Sequence, residues 1–218
     1  MDISAEILNW VQTLTILAPI LMNFNANYIL LNMAASIKIM FGDAQGVGEL
    51  DHSASGFLRS FWALLLTVPF TLSNKYSEFN SIVKSSETNQ TISVFPYLLI
   101  QEMASLLAYF LSLLVLYSIC RISGFKHRFP IVVISLNWSS LSMTILSFPV
   151  LVLMGAIGQA SAILPFMVLA LMIVFTLAMF NVLRLALEIP VRSAIIYVFV
   201  LSVFEIIAYF KLLELAGL

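Results

Sequence analysis

The positions of the charged residues divide the chain into segments. The longest run without a charge extends from Phe129 to Leu183. A helix needs about 20 apolar residues to cross the hydrocarbon core of a bilayer, so this run holds two spans and a turn. The glycines and the glutamine within residues 155–161 mark the turn. The pattern therefore predicts membrane spans at about residues 129–154 and about residues 160–187.

Three further apolar segments are long enough to cross a membrane. Residues 95–120 are apolar apart from Glu102, and residues 191–213 carry Glu205 near their middle. A shorter segment, residues 56–73, begins with Arg59 and Trp62, which are side chains typical of the membrane interface. These runs do not alternate polar and apolar residues as barrel strands do. We therefore predict an all-α integral membrane protein, in which residues 56–218 form a bundle of five transmembrane helices.

The first 55 residues follow a different pattern, because polar amides recur among their apolar residues and make a buried span costly. We predict amphipathic helices at about Glu6–Met22 and about Asn27–Phe41, on or under the bundle at its cytoplasmic surface, and a polar linker over residues 43–52. The alternative is that residues 7–22 enter the membrane as a re-entrant or sixth span. The apolar face of the second helix would consist of Leu30, Met33, Ala34, Ile37 and Phe41, opposite Asn32 and Ser36.

The overall composition excludes the main classes of soluble protein. Of the 218 residues, 61% are hydrophobic and 10% are charged, whereas about 25% of the residues in soluble domains are charged. So few charges cannot cover a water-facing surface. The net charge of -1 gives no basic footprint for a nucleic acid. The expected partners are therefore the lipid bilayer and other membrane proteins, and not a nucleic acid.

Lysine and arginine residues are distributed unevenly between the two sides that five spans define. Cytoplasmic loops of membrane proteins carry an excess of these residues. Three of them, Lys75, Lys84 and Lys211, would lie outside, two of them in an external loop over residues 74–94. The distribution therefore predicts a cytoplasmic amino terminus. The basic residues on the cytoplasmic side would be Lys38, Arg59, Arg121, Lys126, Arg128, Arg184 and Arg192.

The sequence offers little that points to catalysis. His52 and His127 lie in linkers without acidic or thiol partners at ligand spacing, so no metal site is expected. The sequence contains neither a phosphate-binding glycine loop nor a G-x-S-x-G nucleophile motif. Cys120 lies in an apolar run, where a free cysteine behaves as a small hydrophobe. We therefore expect a protein that is not an enzyme and has no cofactor.

Polar residues within the spans are the remaining candidates for function. Glu102 and Glu205 are intramembrane acids, which are costly and mark functional sites by default. Asn137 and Asn181 fall at similar depths in two spans joined by a short turn, so those spans must be antiparallel neighbours. Arg184 lies one turn shallower, at i,i+4 spacing from Glu188.

We therefore predict one polar cluster of Asn137, Trp138, Asn181 and Arg184, with Arg184 in contact with Trp138 or Asn137. Its role would be to fix the register of the helices. The alternative role is a binding site for a lipid phosphate or a partner carboxylate on Arg184.

The order of these segments resembles that of known membrane proteins. Residues 55–66, the Arg128-Phe129-Pro130 and Asn137-Trp138 motifs and residues 180–187 together resemble a small family of alphaproteobacterial multi-pass membrane proteins. The five-helix layout is similar to that of the Yip family of trafficking proteins. The resemblance covers roughly residues 28–218. It implies a non-enzymatic protein that shapes membranes or binds partners, located in a bacterial inner membrane.

Two functions remain open from the sequence. The first is a scaffold, an assembly factor or a subunit of a membrane complex. The alternative is a small transporter or channel component that uses Glu102, Glu205 and Arg184. Convergence of the two acids on one cavity would favour transport.

Overall fold

The chain is described by a computed structural model that covers residues 25–85, 93–157 and 163–217. The predicted helix at Glu6–Met22, and the alternative span at residues 7–22, lie outside these residues. The helices are α1 (Ala26–Met40), α2 (Gln45–Glu49), α3 (Ala54–Ser85), α4 (Val94–Ile122), a short 3-10 helix (Lys126–Arg128), α5 (Phe129–Ile157), α6 (Leu164–Leu187) and α7 (Val191–Leu215).

The predicted fold class is confirmed. The described residues contain no strand, and α3 to α7 are each long and apolar enough to cross a membrane. The prediction of an external loop over residues 74–94 is wrong in its first half, because α3 continues past Ser73 to Ser85. The residues between these two positions are polar but include no glycine or proline, so nothing in the sequence breaks the helix there.

Helix α5 lies at the centre of the bundle. It packs against α1, α3, α4 and α6, while α7 closes the other side by packing against α4 and α6. The spans alternate in direction, so α3, α5 and α7 begin at the end of the bundle where α4 and α6 finish. We call this end the basic end, because it carries Arg59, Arg121, Lys126, Arg128, Arg184 and Arg192.

Contacts between the turns confirm that they share the basic end. Arg128, after α4, forms an ion pair with Glu188, at the end of α6. Ser123 and Tyr197 are joined by a hydrogen bond of 2.8 Å between their hydroxyl oxygens. Helix α4 ends at Ile122, and Gly124 follows with a φ of 82°, a left-handed conformation that glycine adopts without steric cost.

Helix α1 is amphipathic as predicted, but its polar side faces inward. Asn32 and Ser36 are buried, and Ser36 shares a hydrogen bond of 2.8 Å with Ser142 of α5. The side chains of Leu30, Leu31 and Phe41 are exposed by 63%, 68% and 79%. The interior supplies polar partners, and an exposed apolar surface is the one that lipid favours. The side of α1 that docks on the bundle therefore combines Asn32 and Ser36 with the apolar residues Ala35 and Ile39, whereas Leu30 and Phe41 of the predicted apolar face stay outside.

Candidate functional site

A stripe of polar residues follows the inner face of α3. Ser60, Thr67, Thr71 and Lys75 are separated by seven, four and four residues, which places them on one side of a helix. The hydroxyl of Thr67 donates a hydrogen bond to the carbonyl of Leu64 in the same helix. The other three reach neighbouring helices. This stripe therefore brings polar chemistry into the interior of the bundle along most of its length.

The end of the stripe holds a shielded ion pair. Lys75 Nζ lies 2.7 Å from Glu102 Oε2, and the two side chains are only 14% and 12% exposed. Lys75 also donates to the carbonyl of Gln101 at 3.0 Å and to Ser105 Oγ at 2.9 Å. Thr71 Oγ1 donates to both carboxylate oxygens of Glu102, at 3.1 and 3.2 Å. Glu102 is therefore neutralised by a lysine from the segment that the sequence placed in a loop.

The middle of the bundle is tied by Asn137 of α5. Its side-chain nitrogen donates to Ser60 Oγ of α3 at 2.8 Å, and the hydroxyl of Tyr109 in α4 donates to its oxygen. Asn137 is fully buried. One amide thus joins three helices, which is the register-fixing role that polar side chains play between membrane helices.

Glu205 of α7 lies between two cavities. The larger, about 390 Å³, is lined by Glu205 with Ser105, Ser202 and Tyr209 among others. The smaller, about 300 Å³, lies between α4, α5, α6 and α7. Glu205 makes no hydrogen bond or ion pair with the residues that the structure describes. Besides Glu205, the polar residues around the smaller cavity are Tyr109, Ser139, Ser140, Thr144, Thr176 and Ser202.

The two predicted intramembrane acids approach this region differently. Glu205 lines the larger cavity directly. Glu102 does not line it and is linked to it through Lys75, whose partner Ser105 lines the same cavity. The two acids therefore do not converge on one cavity. Sequence reasoning found both acids but missed Lys75, Ser105 and Tyr109. Lys75 could have been recognised from its helical spacing to Thr71 and Ser60. The predicted first span ends at Ser73, however, which leaves Lys75 in the predicted loop.

The four residues predicted to form one polar cluster have separate partners. Asn181 donates to the carbonyl of Met40 at 2.8 Å. Trp138 packs edge-on against Tyr28, with ring centroids 5.9 Å apart. Arg184 lies over the ring of Phe180, 5.6 Å from its centroid, rather than over Trp138. Within the described part of the chain, no hydrogen bond joins any two of the four.

The i,i+4 spacing of Arg184 and Glu188 does not produce an ion pair between them. Glu188 caps α6 with φ 54° and ψ 40°, a left-handed conformation in which its backbone leaves the helix. The i,i+4 geometry that would bring it to Arg184 holds only within a continuous helix. Its carboxylate pairs with Arg128 instead.

A second polar group lies at the basic end, outside the spans. The hydroxyl of Tyr28 donates to Asp51 Oδ2 at 3.1 Å, and the guanidinium of Arg59 lies 5.5 Å from the centroid of the Tyr28 ring. Burial, followed by the nearby charge of Asp51, raises the pKa of Tyr28 to about 12. Burial alone would raise the pKa of Asp51, but hydrogen bonds from Ser53 and Tyr28 outweigh it and hold that pKa below its usual value.

Metal-ligating side chains do not cluster in the part of the chain that the structure covers. Those residues contain no group of three or more histidine, cysteine, aspartate or glutamate side chains that could hold a metal ion. Cys120 is buried among apolar residues of α4 and its neighbours.

Comparison with known proteins adds no identity. No protein-family model, no curated protein and no solved structure matches this chain. The resemblance to the Yip family and the absence of enzymatic activity therefore stay predictions.

Proposed function

We propose that this integral membrane protein moves a proton, or a small monovalent cation in its place, across the membrane through the cavities at Glu205. The observation that supports this proposal is the carboxyl group of Glu205, which lies among hydroxyl side chains and has no ionic partner within the described part of the chain. Glu205 lies fourteen residues after Val191, which is about 21 Å along α7 and close to the middle of the span.

A charged side chain inside the bilayer carries a high free-energy cost. A carboxylate at this depth is unfavourable unless a cation neutralises it. Glu102 has a permanent cation, Lys75, whereas Glu205 has none among the described residues. Glu205 therefore needs an exchangeable proton or cation. Hydroxyl oxygens such as those of Ser139, Ser140 and Ser202 are suitable partners for either species.

Of the three residues in the transport hypothesis, Glu205 alone would carry the proton or cation. Glu102 serves as a fixed counter-charge to Lys75 and orders the wall of the larger cavity through Ser105. Arg184 lies at the basic end and does not line either cavity at Glu205. We propose that the basic end faces the cytoplasm of a bacterium, because cytoplasmic ends carry the excess of basic residues.

The test is flux through the purified protein in liposomes that contain a dye for the imposed cation, which is sensitive to pH, to sodium or to potassium. Imposed gradients of protons, sodium or potassium should each be tried, and at least one should dissipate faster than in empty liposomes. Glu205→Gln preserves shape but cannot ionise, so it should reduce that flux to the empty-liposome rate. Glu214→Gln is the matched control, since Glu214 is on the same helix but is 68% exposed and paired with Lys211.

Two results would contradict the proposal. One is the absence of any protein-dependent flux of the three cations. The other is a flux that Glu205→Gln leaves unchanged. The thermal unfolding midpoint of Glu205→Gln should match that of the wild type, so that a lost flux reflects the carboxyl group and not a damaged fold.

A second function, as a subunit or scaffold of a membrane complex, is favoured by the first part of α6. No residue from Ile163 to Leu177 is buried, over about 22 Å of helix. An apolar stretch of helix without a buried residue can accept a helix of another protein. Phe166→Ala should then release proteins that co-purify in mild detergent, whereas Phe199→Ala, which removes a similarly exposed ring from α7, should not.

A further inference from the structure

We propose that Arg184 binds the phosphate of an anionic phospholipid headgroup at the basic end of the bundle. The side chain of Arg184 makes no hydrogen bond or ion pair with the residues that the structure describes, and its Nε is buried without a partner there. Guanidinium groups are planar forks that recognise phosphate with two parallel hydrogen bonds. Because the guanidinium of Arg184 has no acceptor among the described residues, it is free to bind an external anion.

The neighbouring side chains hold the guanidinium in place and leave it without a counter-ion. Its central carbon lies 5.6 Å from the centroid of the Phe180 ring, a cation–π contact that fixes the group without neutralising it. The acid nearest in sequence, Glu188, is paired with Arg128. Two further acids lie in this region: Glu49 is paired with Lys38 at 2.5 Å, and Asp43 accepts a hydrogen bond of 2.9 Å from the backbone N–H of Gln45.

A cavity of about 380 Å³ gives the headgroup a place to enter. It lies between the start of α2 and the turn that joins α6 to α7. Arg184 contributes its basic side chain, while Val47, Leu185 and Val191 contribute apolar surface. The carboxylate of Glu188 also lines the cavity, where it is paired with Arg128. This combination suits the phosphodiester and the adjoining glycerol region of a lipid.

The depth of Arg184 is that of headgroups and not of the bilayer core. It lies three residues before the end of α6, or about 5 Å from that end. The exposed cations Arg121, Lys126 and Arg192 lie at the same end. Juxtamembrane basic residues attract anionic lipids to a membrane surface, so these residues would enrich the lipid that Arg184 then binds.

The test measures lipid binding to the purified full chain in detergent by native mass spectrometry. Phosphatidylglycerol should bind more tightly than phosphatidylcholine. Arg184→Ala should weaken phosphatidylglycerol binding by about tenfold, the effect of losing one charge-assisted hydrogen-bonded contact. Arg184→Lys keeps the charge but loses the planar fork, so it should restore only part of the affinity.

Arg192→Ala is the matched control, because Arg192 is an exposed cation at the same end that does not line the cavity. It should leave phosphatidylglycerol binding nearly unchanged. An equal loss for Arg192→Ala and Arg184→Ala would show diffuse attraction and overturn the proposal. Wild-type affinity in Arg184→Lys would also overturn it. Displacement of the lipid by inorganic phosphate at matched ionic strength would overturn it too, because the site would then belong to a free anion.

Discussion

Removing one partner of the Lys75–Glu102 ion pair should destabilise the bundle far more than removing both. Lys75 Nζ contacts three oxygens at 2.7 to 3.0 Å, and both side chains are shielded from solvent. In Lys75→Met the carboxylate of Glu102 would remain inside the bundle without a cation. Breaking a buried pair in this way costs about 3–5 kcal/mol of the free energy of unfolding.

The double variant Lys75→Met, Glu102→Gln replaces both charges with neutral side chains of similar size. Because no uncompensated charge remains, its loss of stability should be smaller than that of either single variant. The interaction energy from the double-mutant cycle should therefore be large, at about 2–3 kcal/mol. Reversible unfolding of the purified protein in detergent micelles measures all four free energies.

A second cycle on the same protein provides the control. Lys211 and Glu214 form an ion pair of 2.6 Å at i,i+3 spacing, but both side chains are 68% exposed. Exposed pairs of this kind contribute about 0.5 kcal/mol or less. Equal interaction energies in the two cycles, or a Lys75→Met variant as stable as Lys211→Met, would refute the view that Lys75 neutralises a buried acid.

Three further predictions concern packing, pH dependence and orientation. Gly46→Ala should lower the free energy of unfolding by about 1–3 kcal/mol, since a Cβ there would lie 2.4 Å from a backbone oxygen of α1, whereas Gly48→Ala meets nothing within 4 Å and should be tolerated. Because the pKa of Tyr28 is raised from 10.0 to about 12, its contribution to stability should be full below pH 10 and lost as the pH rises to about 12. The difference in unfolding midpoint between wild type and Tyr28→Phe should therefore fall over this range, and a constant difference would contradict it. In a chain whose native cysteine is replaced by serine, a cysteine at Lys126 should react with an impermeant reagent only from the cytoplasmic side, and labelling from outside intact cells would reverse the proposed orientation.

The number and approximate position of the spans could be predicted from the sequence. Hydrocarbon excludes charge whatever the neighbours of a helix are, so long uncharged runs identify the spans before any contact is known. The run from Phe129 to Leu183 divides into α5 and α6 as expected. The periodicity of residues 26–40 likewise predicted an amphipathic helix, and α1 is one.

The partners of the polar residues could not be predicted from the sequence. Glu102 pairs with a lysine 27 residues away, and Asn137 bonds to Ser60, 77 residues away. A helical repeat states which residues share a face, but not which neighbouring helix that face meets. Glu205 could be recognised as an intramembrane acid, whereas its position between two cavities depends on four helices coming together.

The orientation of α1 illustrates the same limit. The sequence separates an apolar face from a face with Asn32 and Ser36, and in water the apolar face would be buried. Beside α5 the polar face is buried, because Ser142 offers a hydrogen bond there while the outside of the bundle is apolar. Helix type and span position thus follow from local composition, whereas the choice of buried face and of charge partner follows from tertiary packing, which decides where a polar group finds its acceptor.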